Sequence, residues 1–229
     1  MAKRRVSNLL ALAVLGSVAE RPMHPYEIST SLRSRGKEQS IKLNFGSLYT
    51  VVDALAKHGL IEAQETVREG RRPERTIYAI TDAGRAEFED WLAELISTPT
   101  PEYTSLAAAL SFIAGLSPDQ VVTLLTSRAT RLRMDLGAVD AGLAYTDELG
   151  LPELFVVEEH YRRALMQTEL DFVTALADRI AGGQLGGVGA WRRLHELQEE
   201  GIGFAEISAD PEKHLGKEGA ALAPFLKPG

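Results

Sequence analysis

Gly59 is the residue that most narrows what this chain can fold into. It closes a run, NFGSLYTVVDALAKH over residues 44–58, in which Leu48, Val51, Val52 and Leu55 repeat at the spacing of one helix face. Asn44 offers a side-chain cap at its start, and Gly59 supplies a left-handed stop. The sequence then passes at once into a strand, residues 60–67, so the helix and the strand must fold back beside each other. Ile61/Ala63 and, in a second strand over 76–81, Tyr78/Ile80 show partial period-two alternation. Between the strands lies REGRRPE, a tip with Gly70, Pro73 and three arginines. Upstream, residues 6–19 are apolar nearly all round, as befits a central helix. The prolines at 22 and 25 separate it from a short helix over 26–35 carrying Ile28 and Leu32. Three helices followed by a hairpin within about 80 residues make a winged helix-turn-helix.

The rest of the chain reads as helical. Thr81 is placed to cap a fourth helix with the stripe Phe88, Trp91, Leu92, Leu95 and Ile96, and STPTPEYTS (97–105) is a proline-bearing linker. A short apolar helix over 106–115 precedes Ser117-Pro118-Asp119, a strong helix start. Beyond it Val121, Leu125, Leu132, Leu136, Val139 and Leu143 keep one face for about seven turns. After a break at Gly150 and Pro152, a second long helix carries Leu154, Val157, Tyr161, Leu165, Phe172, Leu176 and Ile180. Such an antiparallel hairpin cannot cover its own stripe, and a second copy is the natural cover. The expected organisation is therefore mainly α. A winged helix-turn-helix with a two-stranded wing occupies 1–97, a helical dimerisation and effector domain 106–183, and a tail with one expected helix over 190–200 and no functional reading 184–229. Leu125, Leu132, Leu136, Val139, Tyr161, Leu165, Phe172 and Leu176 are the expected dimer contacts.

Charge separates the same two regions. Residues 1–81 hold 13 Lys and Arg against 8 Asp and Glu, and the remainder holds 12 against 24, so a net +5 is followed by −12 within the overall −7. Only the first part suits a polyanion. No cysteine is present, which excludes disulfides and thiolate metal sites and favours a reducing compartment. Lys3-Arg4-Arg5 and the apolar run after it have the outline of a secretory signal cut after Ala19, but residues 6–19 are needed to complete the small helical core. A cytoplasmic location, with no membrane association, is the expectation.

A helix that meets base edges needs small or hydrogen-bonding side chains near its N-terminal end. Asn44, Ser47, Tyr49 and Thr50 sit there, with Lys42 just ahead, and Arg68, Arg71, Arg72 and Arg75 are placed in the wing to reach phosphates or the minor groove. Each feature alone has a plain alternative in capping or a solvated hairpin; their convergence in one third of the chain favours DNA. The five histidines, His24, His58, His160, His195 and His214, form no metal-binding spacing, and neither a phosphate loop nor a nucleophile elbow is present. No enzyme activity, metal or cofactor is therefore expected. Phe88, Trp91, Phe112 and Tyr161 are candidates to line a pocket for a flat apolar effector, against plain core packing.

These residues resemble the PadR family of bacterial transcriptional regulators. HPYEIS (24–29), LNFGSLYTVV (43–52), LAKHGLI (55–61) and GRRPERTIYAITDAG (70–84) are similar to that family's motifs in order, and SLAAALSFIAGLSPDQ (105–120) with the long hairpin resembles the C-terminal module of its longer members. Pro25, Thr50 and the arginine-rich wing depart from the usual pattern. The resemblance implies a homodimer with winged heads on a helical C-terminal domain that represses transcription and is released by a small effector. Two heads one helical turn apart would read a pseudo-palindromic double-stranded operator, and the aromatic residues above suit a small aromatic or apolar effector. It also places Tyr26 at a backbone contact, Ser47 and Tyr49 on the recognition helix and Arg71 to Arg75 on the wing. A winged-helix protein-interaction module, or a small-molecule carrier without DNA binding, is the alternative.

Overall fold

The computed structural model describes residues 6–41, 45–67, 75–219 and 221. The chain divides into two compact units, Met1–Glu102 and Tyr103–Gly229.

In the first unit, α1 (Leu9–Glu20) begins where the Asn8 side chain accepts from Leu10 N at 2.9 Å. Its Leu10, Ala11, Val14, Leu15 and Val18 are all buried, so the apolar run 6–19 is the centre of a core. α2 (Pro25–Ser34) starts with a reciprocal cap: His24 Nδ1 accepts from Tyr26 N at 3.1 Å while Glu27 Oε2 accepts from His24 N at 2.9 Å. Arg35 donates to both carboxylate oxygens of Glu20, at 2.5 and 2.8 Å, and ties the end of α1 to the end of α2. The guanidinium holds the Glu20 carboxyl below its ordinary range.

α3 (Phe45–Lys57) packs the face foreseen from its sequence: Leu48, Val51, Val52 and Leu55 are all buried. Gly59 takes φ +71°, and Leu60 N donates to Leu55 O while Gly59 N donates to Ala56 O, both at 3.0 Å. These bonds satisfy carbonyls that the helix end would leave unpaired. β1 (Ile61–Val67) and β2 (Arg75–Ile80) pair antiparallel with Ile61 opposite Ile80 and an irregularity between Ala63 and Glu65. Met23 adds a bridge on the other side of β2, exchanging both backbone hydrogen bonds with Tyr78 at 3.0 Å.

Thr81 then joins three elements. Its hydroxyl donates to Gly59 O at 2.7 Å and accepts from Gly84 N at 3.0 Å, and its backbone N–H donates to Leu60 O at 3.1 Å. It caps α4 (Asp82–Ser97), whose Gly84 lies so close to the α3–β1 turn that a Cβ there would sit 1.9 Å from Leu60 O. α4 buries Trp91 and lays Phe88 against Gly16 of α1. The expected stripe on α4 stops short: Leu92 is half-buried, and Leu95 and Ile96 are exposed.

The second unit contains α5 (Ser105–Leu110), a 3₁₀ turn at Ile113–Gly115, α6 (Pro118–Glu148) and α7 (Val157–Ala181). Ser117 and Gln120 cap α6 reciprocally, and Gly150 at φ +67° turns the chain toward α7. With 31 residues, α6 runs for about 46 Å. Val121, Leu125, Ala129 and Leu136 of α6 form one buried cluster with Leu170, Val173, Ala177 and Ile180 of α7. Arg128 to Glu169 at 2.6 Å and Arg163 to Asp140 pin the register from outside.

The expected stripe on α7 is covered only in part within the chain. Ile180 is buried and Leu176 half-buried, but Leu154, Val157, Tyr161, Leu165 and Phe172 are exposed. α7 carries apolar residues on two adjacent faces, and α6 takes the one that runs through Leu170 and Val173.

Residues 184–229, read from sequence as a tail, contain α8 (Val188–Glu199), α9 (Phe204–Ala209) and α10 (Pro211–Leu215). Ala190, Leu197, Ile207 and Leu215 make a small core of their own, while Val188 and Trp191 belong to the α6–α7 cluster.

Candidate nucleic-acid interface

The candidate surface is built on α3 and the turn before α2. With Leu48, Val52 and Leu55 sealed in the core at 2, 1 and 0% exposure, the rotation of α3 is fixed and its opposite side must face solvent. Tyr49 is 47% exposed, Thr50 and Asp53 are exposed, and Ser47 is half-buried. The Thr50 hydroxyl donates to Gly46 O at 3.2 Å, so it presents its methyl group and acceptor lone pairs outward. Tyr26, the second residue of α2, is 58% exposed.

Lys42, Asn44, Arg68, Arg71 and Arg72 lie outside the described residues, and of Arg75 only the backbone, the first residue of β2, is described. The hairpin root is nonetheless well defined. Met23 and the Thr81–Gly84 contacts hold it against α2 and the end of α3. Sequence reading missed the Met23 bridge, because a single residue leaves no periodic signal. Asp53 was also left out of the expected site, although it follows Tyr49 by one turn on the same exposed side.

The other expected groups are redistributed. Leu125, Leu136 and Val139, expected at a dimer interface, are 6, 6 and 5% exposed and so already covered within the chain. Leu132 and Leu176 are half-buried against the same core, whereas Tyr161, Leu165 and Phe172 remain open at 65, 52 and 51%. Of the four aromatics expected around an effector, Phe88 and Trp91 pack in the core of the first unit. Phe112 lines an apolar groove of about 480 Å³ between α5, the 3₁₀ turn and α6 in the second unit; Tyr161 is not part of that groove. Among the described residues, no group of His, Asp or Glu could hold a metal ion, and no helix is long and apolar enough to cross a membrane.

A helix-turn-helix pair followed by a tied-down hairpin and an exposed polar helix face defines a winged-helix domain. Residues 14–90 match the model of the transcriptional regulator PadR-like family. The chain is 30% identical over 90 residues to a protein of Mycobacterium tuberculosis described as "Probable transcriptional regulator Rv1176c"; the match covers 39% of this chain and 46% of that relative's length. In fold it is similar to PadR of Bacillus subtilis solved in complex with operator DNA, at 21% identity and a TM-score of 0.58, over 75% of this chain and 100% of that one. It is also similar to smu.1604c of Streptococcus mutans, at 20% identity and a TM-score of 0.52, over 74% and 98%. The same Bacillus protein in complex with p-coumaric acid aligns at 16% identity and a TM-score of 0.58, over 74% and 94%. The family is one of regulators rather than enzymes.

Proposed function

We propose that this protein is a homodimeric, sequence-specific DNA-binding regulator, acting as a repressor that a small apolar effector releases. One observation carries the DNA reading: α3 is locked by a fully buried face and exposes Tyr49 and Thr50, with the half-buried Ser47, at its N-terminal end. The basic balance of residues 1–81 and the arginines of the wing sequence supply the sequence-independent attraction. The likeness in fold to a protein solved with operator DNA supports the same reading. Self-association is supported by the uncovered apolar side of α7 at Tyr161, Leu165 and Phe172, beside a hairpin whose other side is already filled. The apolar groove against α6 supports release by a ligand or filling by a second copy.

Fluorescence anisotropy with DNA from upstream of the protein's own gene, across a salt series, tests the DNA reading. Tight binding with a steep fall in affinity as salt rises is expected. Replacing Arg71, Arg72 and Arg75 together by Ala should weaken binding to every sequence and flatten the slope by up to about 3 in log Kd per log salt. An unchanged slope in that variant would remove the wing from the interface, and no binding at all by the intact chain would leave a protein-interaction module or a carrier.

A further inference from the structure

The segment that walls the apolar groove is weakly held by its own side chains. Neither α5 nor the 3₁₀ turn contains a fully buried residue; Leu106 and Ile113 are only half-buried against the α6–α7 core. Phe112, on the same stretch, is 81% exposed. Something else must fix where residues 113–116 sit, and the contacts come from α8, about 75 residues further along the chain. Trp191 Nε1 donates to Leu116 O at 2.9 Å. His195 Nε2 lies 2.9 Å from Ala114 O, and because a carbonyl can only accept, the ring donates from that nitrogen. Arg192 reaches Asp119 in the first turn of α6 at 3.2 Å.

The arrangement is economical. Residues 191 and 195 are one turn apart on one face of α8, and they satisfy the carbonyls at the end of the 3₁₀ turn that have no partner further along it. Trp191 is itself only 9% exposed and belongs to the α6–α7 core, so the donor is anchored before it reaches the acceptor. α8 is in turn held by α9 and α10 through Leu197, Ile207 and Leu215, and Glu218 accepts from Ala190 N at 3.1 Å at the start of the helix.

We propose that α8 is a strap that holds residues 113–116 in place as the wall of the groove, and that through this contact the C-terminal three-helix module controls docking of a second copy of the chain. The occupant follows from complementarity. The groove is lined by Phe112, Ile113, Leu116 and Leu124; of its charged residues Arg128 pairs with Glu169, and Arg131 and Asp135 complete the lining. The uncovered 3₁₀ turn at Glu153–Phe155, just before α7, offers Leu154 and Phe155, 76 and 60% exposed, beside the exposed Glu153. This part of the proposal rests on the homodimer reading above; the strap itself does not. The B. subtilis PadR structure is matched in full by 75% of this chain, so a quarter of this chain lies outside that shared fold.

The test uses the full chain and three variants: Trp191→Phe, His195→Gln, and Trp191→Phe combined with His195→Ala. Phenylalanine keeps the ring packing and loses only the N–H, while glutamine keeps a donor. Hydrogen–deuterium exchange over residues 105–120 should rise about tenfold or more in the double variant, since each hydrogen bond of this kind shifts a local equilibrium by roughly fivefold. Exchange in α1 and α3 should stay unchanged, and His195→Gln should retain most of the protection. If the double variant fails to fold, Trp191→Phe alone carries the measurement. Unchanged exchange over 105–120 would overturn the strap. Sedimentation velocity over a dilution series then reads the coupling. A dimer in the intact chain whose dissociation constant rises about tenfold in the double variant supports it, and an equal dissociation constant despite faster exchange overturns it. A monomer at all concentrations overturns the homodimer reading and the coupling with it, and leaves the exchange result to decide the strap.

Discussion

Tyr49 is the residue on which the recognition reading turns. It stands near the start of α3 with about half its surface open, while its neighbour Leu48 is sealed in the core. On the proposed function, a side chain so placed would read bases or support the ones that do, whereas the wing arginines would act on phosphates regardless of sequence. Tyr49→Ala should therefore lower affinity for the preferred site by about 1–3 kcal/mol and leave binding to random DNA nearly unchanged. Competition binding with a specific and a scrambled duplex measures this directly; equal loss on both would reassign Tyr49 to the backbone. The polar start of α3 was legible in the sequence because the apolar stripe at 48, 51, 52 and 55 fixes the opposite face. The fate of the Thr50 hydroxyl was not, since its bond to Gly46 O depends on where the first turn of the helix sits.

Among the elements, the turn from α3 into β1 does more than end a helix. Gly59 ends α3 in a left-handed turn, Thr81 bridges that turn to α4, and Gly84 lets the α4 backbone pass against Leu60. Gly84→Ala would drive a methyl carbon into a backbone oxygen with no room to yield. It should cost more than about 2 kcal/mol in stability, seen as a lower denaturant midpoint with an unchanged slope. A variant as stable as the parent would show that α4 can shift away freely. The stop at Gly59 and the cap at Thr81 were both readable, because each is a single residue type with a defined backbone job. Which face of α7 meets α6 was not. α7 carries apolar residues on two neighbouring faces, and a single sequence does not say which is covered within the chain and which is left open. The short helices α9 and α10, six and five residues long, are below the length at which periodicity speaks.

For the whole molecule, the second unit presents an imbalance that a lone chain does not resolve. One side of α7 is packed to completion through Val173 and Ile180, both 0% exposed, while the other leaves Tyr161, Leu165 and Phe172 in water. Leu165→Asp should cost the folded chain little, because the position is exposed, but should shift a dimer to monomer and raise its dissociation constant by about a hundredfold or more. Size-exclusion chromatography with light scattering, paired with a melting curve, separates the two effects. A dimer that persists with unchanged affinity would place the interface elsewhere. The division into a basic winged part and an acidic helical part was plain from charge and helix spacing. A helix over 190–200 was readable too, but not how α8 packs, because its bond to Leu116 joins residues 75 apart in sequence.

The Met23 bridge has a consequence for solubility. A two-stranded hairpin offers two open backbone edges, each a template on which a stray strand can grow. Here β2 is covered by β1 on one side and, at Tyr78, by Met23 on the other. The edge without such a bridge among the described residues belongs to β1, which carries an exposed Glu62 and loses its regular register between Ala63 and Glu65. The sheet thus turns its least adhesive strand outward, where it gives another copy little to extend.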